Sequence, residues 1–139
     1  MQPGFEGRAE YLALALFAQN VVSVLQRADD PEIRPTLTEA LASLRDVQSG
    51  MVQKFGRRDA VAFNSYQQLA ALQKAWSGQD QSSVVSLLEK VLEDPTSHRA
   101  EAKQLVAFFT RLQVQALWNF ERPEGPPTEE LHQLCRTAP

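Results

Sequence analysis

The chain has 139 residues, a formal net charge of −3, 22% charged residues and 43% hydrophobic residues. That length suits one domain with a real core, and the apolar content excludes a disordered body. The acidic balance argues against nucleic acid binding as the main task, and the single cysteine, Cys135, excludes an intramolecular disulfide and favours a reducing compartment.

Helix 1 is expected from just after Gly7 to about Arg27. Its centre, Tyr11 to Leu25 (YLALALFAQNVVSVL), is aliphatic or aromatic nearly throughout. The apolar residues do not keep to one side. Leu12 and Leu16 share one, Leu14, Val21 and Leu25 another, Phe17 and Val24 a third. A helix that is apolar nearly all round must be buried nearly all round. Helix 1 is therefore expected to be the central rod of a bundle, or to be half covered by a partner, and both Leu16 and Val21 are expected in the core. Glu6, Arg8 and Glu10 precede the run, and Gln19 and Asn20 interrupt it. It reads as neither a secretory signal nor a membrane span, and a soluble, cytoplasmic protein is expected.

Asp29, Asp30 and Pro31 break the helix, and Pro35 delays the next one. Thr36 to Glu39 (TLTE) fits a capping box, so helix 2 is predicted to start there. Its apolar stripe is Leu37, Leu41, Leu44, Val47, Met51 and Phe55, with Gly56 as the stop. Helix 3 is predicted over 58–76, helix 4 over 81–93 and helix 5 from the Asp94-Pro95 break to about Phe120. ERPEGPP (Glu121 to Pro127) cannot continue a helix, and EELHQLC then forms a short tail helix that is either mobile or docked by Leu131 and Leu134. The fold class is all-α: a compact bundle of about five helices in residues 1–120, then a proline-rich break and a short tail helix in 121–139. VVSVLQ (Val21 to Gln26) resembles VVSLLE (Val84 to Glu89), as two stacked helical hairpins would produce.

Catalytic groups are poorly supplied, and no enzyme is expected. His132 follows Glu129 by three, but a di-iron bundle needs that pattern twice, so a solvated tail histidine is expected. One cysteine and two distant histidines do not make a zinc site. The six glycines are scattered singly, which excludes a phosphate loop. No catalytic residue, metal or cofactor is predicted.

Two regions can engage a partner. Between residues 45 and 74 stand five basic residues (Arg45, Lys54, Arg57, Arg58 and Lys74) against Asp46 and Asp59, and five minus two leaves +3 in an acidic chain. Arginine at the helix 2–3 corner suits phosphate or carboxylate. Trp118 and Phe120 stand just before the proline break, where a partner groove can form. The function expected is that of a non-enzymatic helical interaction or scaffold subunit, with protein partners or further copies of itself and no membrane. In size and all-helical character the chain is also similar to the small subunits of CRISPR effector complexes. That likeness covers architecture and no motif, and it implies an RNA or DNA backbone held at the basic corner. A third expectation is a small-molecule binder with an apolar pocket between helices.

Overall fold

The computed structural model describes residues 7–52, 66–77, 79–122 and 129–139. Among them the chain is all-helical, with α1 (Arg8–Gln26), a 3-10 turn (Pro31–Ile33), α2 (Arg34–Gln48), α3 (Tyr66–Ala75), α4 (Ser82–Glu93), α5 (Arg99–Glu121) and α6 (Glu129–Arg136). The five longer helices close into a ring. α1 packs on α5 and α3, α3 on α2, α2 on α4, and α4 on α5. Their buried faces meet in one core, which closes on Phe17, Phe108 and Phe109. Phe109 meets Phe108 edge-on at 5.2 Å between ring centroids and Phe17 at 6.5 Å. Such pairs add to what their area alone contributes.

The pairing of α1 with α5 is the spine of the ring. The two run antiparallel: Arg8 at the start of α1 donates to the Phe120 carbonyl (2.6 Å), and Arg99 at the start of α5 approaches Asp29 beyond the end of α1 (3.8 Å). α1 buries Leu14, Phe17, Ala18, Val21 and Leu25. Leu16, however, is 41% exposed, whereas Val21 is 2% exposed. The expectation that both lie in the core fails for Leu16, because α5, α3 and a lighter contact with α2 do not close a full circle around α1. At 19 residues α1 is long and apolar enough to cross a membrane by length and composition alone, a test that the core helix of a soluble protein passes equally. Here it lies along α5 and α3.

The start of α2 also differs from expectation. Thr36 does not cap α2, which starts after Ile33 with no side-chain cap; the capping carboxylate is that of Asp30, which accepts from the Glu32 amide (3.0 Å) at the opening of the 3-10 turn. The chain then enters α2 at Arg34 with Pro35 in the first turn, where a missing amide hydrogen costs nothing. Thr36 is inside the helix.

α2 ends at Gln48, well before Gly56. Gly50 has φ +71°, the Gly50 amide donates to the Val47 carbonyl (3.1 Å) and the Met51 amide to the Asp46 carbonyl (2.8 Å). This pair of bonds is the Schellman stop, which needs a residue at positive φ. Met51 is left exposed beyond the helix. Phe55, Gly56 and the predicted start of helix 3 at Arg58 lie outside the described residues.

Between α4 and α5 the Asp94 side chain accepts from Ser97 Oγ (2.7 Å) and from the Thr96 and Ser97 amides (3.2 and 3.3 Å). The turn it holds runs through Pro95, and α5 starts four residues beyond the predicted helical position of that proline. The two similar segments lie on α1 and α4. Both helices pack on α5 and α2, and α1 packs on α3 as well.

The tail helix is docked, across α5 and α3. Leu131, His132 and Cys135 are its buried residues. His132 Nδ1 donates to the Ala75 carbonyl at 3.1 Å, since a carbonyl only accepts. Gln81 Nε2 donates to the Cys135 carbonyl (3.2 Å), and Gln115 Nε2 bridges Asn119 Oδ1 (3.0 Å) and Glu130 Oε2 (2.8 Å). The solvated tail histidine expected from the sequence is therefore a buried one, placed by the apolar face on either side of it.

Candidate docking groove between α1 and α3

The seven residues singled out in the sequence do not form one site. Lys54, Arg57 and Arg58 lie outside the described residues. Arg45 reaches from α2 to Glu89 on α4 (2.9 Å), with both side chains about half exposed. Lys74 reaches from α3 to Glu10 on α1 (2.7 Å) in a less exposed pair. Each of the two described cations thus already holds a carboxylate between helices. Exposed pairs of the Arg45 kind contribute little to the fold, about 0–1 kcal/mol.

The aromatic pair separates as well. Trp118 is 46% exposed, with the Arg122 guanidinium lying over its ring. Phe120 is half-buried against the core, and Arg8 covers its ring at 4.9 Å. Phe120 is therefore part of the α1–α5 joint. Trp118 shares a stripe with Val114, one turn earlier and also exposed.

Lys74 leads to a feature that sequence reading missed. α1 and α3 approach through small residues, and an apolar groove of about 270 Å³ runs between them. Ala9 and Ala13 of α1 and Ala70 and Ala71 of α3 line it, with Tyr66 at its rim. The Glu10–Lys74 pair closes one side. Because each charge faces the other at 2.7 Å, this side presents no net charge to a ligand. Past Lys74 the surface continues into a second cleft of about 320 Å³ that reaches Gly50 and Val52 at the end of α2. Leu16 follows Ala13 by three residues and so extends the same stripe of α1 outward. The alanine spacing was visible in the sequence. It does not single out a groove, because alanine marks an interior and a close approach of helices equally well.

Among the described residues, no three of His, Cys, Asp and Glu stand together so as to hold a metal ion. Burial pushes the Cys135 thiol up to about 12, the opposite of what a nucleophile needs. Burial likewise raises the Tyr11 phenol, against a hydrogen bond with Asn119 that lowers it. The caps Asp30, Asp80 and Asp94 are held below the usual carboxylate value, chiefly by hydrogen bonds from the turns they close.

The thiol has a consequence for pH. Its folded value is raised, so the unfolded chain releases the proton first, and folding stability falls as pH rises from about 9 towards about 12. Cys135→Ala is expected to flatten that part of the curve. Denaturant titrations between pH 8 and pH 11 check it, and equal slopes in both proteins would place the thiol in solvent.

No protein-family model, no curated protein and no solved structure matches this chain.

Proposed function

We propose that this chain is a non-enzymatic interaction module that seats an apolar side chain of a protein partner in the α1–α3 groove. The observation that carries this reading is the groove itself: apolar, floored by alanine, and rimmed by the exposed Tyr66, with Leu16 one step along the stripe. A concave apolar site with a few polar groups at its edge is what an anchor residue requires, and such anchors dominate binding energy. The neutral Glu10–Lys74 edge favours an uncharged anchor, such as a leucine or phenylalanine on a partner helix. A nucleic acid backbone is a poorer fit to the described surface, because Arg45 and Lys74 each already hold a carboxylate.

The test places a photoreactive benzoylphenylalanine at Tyr66 in the native host. One discrete cross-linked adduct is expected. Ala9→Phe, at an exposed alanine of the groove, is expected to lower its yield about tenfold, the effect of losing an anchor contact of about 1.4 kcal/mol. The melting temperature is expected to stay nearly constant, because surface substitutions usually stay within about 0.5 kcal/mol. No adduct, or equal yields from both proteins, overturns the proposal.

A further inference from the structure

A different cleft, of about 280 Å³, opens where α2 and α3 end and α4 begins. It does not include Lys74 and owes nothing to the groove reading. Glutamine amides and serine hydroxyls line it, with Val47, Gly50 and Trp76, and none of its described lining residues is charged. Two of its residues are almost wholly buried: Trp76 at 4% exposure and Gln81 at 2%. Each carries a buried polar atom that meets no hydrogen-bond partner, Trp76 Nε1 and Gln81 Oε1.

These two atoms have opposite roles. The indole N–H only donates, and the amide oxygen only accepts. The Gln81 amide is fixed in this sense by its other end, since Nε2 donates to the Cys135 carbonyl (3.2 Å) and a flipped amide would set oxygen against oxygen. A buried polar atom without a partner costs folding free energy, and a molecule that supplies the partner recovers it. The molecule must bring an acceptor for Trp76 and a donor for Gln81. It must also be uncharged, because no lining charge would offset the loss of water around an ion. We propose that this cleft binds a small neutral molecule through a carboxamide group. Its C=O accepts from Trp76 Nε1, its NH₂ donates to Gln81 Oε1, and the serine and glutamine rim shifts to admit it. A carboxylate of the same shape offers only acceptors and sets one of them against the Gln81 oxygen.

The chain has two tryptophans, Trp76 and Trp118, so nitrogen-15 spectra of the indole N–H groups read the site directly. Acetamide is expected to shift the Trp76 resonance saturably and to leave that of Trp118 in place. Acetate at the same concentration and ionic strength is expected to shift neither. Gln81→Met removes the acceptor and is expected to raise the acetamide midpoint about tenfold. Ser77→Leu obstructs the exposed rim without touching either buried atom, and is expected to abolish the shift even if Gln81→Met unseats α6. A Trp76 resonance indifferent to acetamide, equal responses to acetamide and acetate, or an unchanged midpoint in Ser77→Leu would each overturn the assignment.

Discussion

Val21→Asp is expected to leave no folded protein, while Leu16→Asp, five residues earlier on the same helix, melts close to the parent. Val21 is 2% exposed, and its side chain belongs to the shared core. A carboxylate there loses its water and gains no cation, a cost above about 4 kcal/mol against a total stability of about 5–15 kcal/mol. Leu16 faces outward, and a charge there stays solvated, with a change within about 0.5 kcal/mol. Circular dichroism melts of both variants decide the matter. If both unfold, the outer face of α1 is covered by something other than water. If both fold, α1 is not the spine of the ring.

The second large effect belongs to the tail. Leu131 is wholly buried, and it sits one turn before Cys135 on a helix of eight residues. A helix so short is marginal in water and depends on what it packs against. Leu131→Asp is therefore expected to undock α6 while the ring stays folded. The Cys135 thiol reports it. In the parent it is 1% exposed and held in its protonated form, so an aromatic disulfide reagent at neutral pH reacts slowly. In the variant the rate is expected to rise about a hundredfold, which corresponds to about 3 kcal/mol of lost docking. Equal rates in the two proteins would mean that the tail does not hold its place in solution.

The number and order of the helices were legible because each apolar stripe repeats at helical spacing between proline and glycine breaks. What failed was finer. Gly50 was passed over because the stripe of α2 continued in print through Met51 and Phe55, although a glycine ahead of them is the stronger stop signal. Thr36 caps nothing because a capping box is a local pattern, and the chain turns helical before it, through the 3-10 turn that Asp30 caps. The buried place of His132 follows from Leu131 and Cys135, whose spacing of four marks a buried face on either side of it. Whether Leu16 or Val21 faces the core cannot be read from α1 itself, since both are apolar. That choice is made by α5, some ninety residues away. The groove is of the same kind: alanine at 9, 13 and 70 becomes a surface feature only when α1 and α3 lie side by side.

The antiparallel pairing of α1 with α5 also bears on how the protein is made. Phe17 has its partner in Phe109, and Arg8 meets the backbone at Phe120. During synthesis, at about 5–20 residues per second, α1 leaves the ribosome several seconds before its main partner exists. For that interval the nascent chain carries an apolar helix of near-membrane length without its main packing partner. Its fate rests on chaperones that shield it, on α3 as a temporary neighbour, or on staying unformed until the last third of the chain arrives. A stall placed after residue 95 should therefore yield a chain that chaperones hold and proteases cut, while one long enough to release α5 should yield a resistant fold.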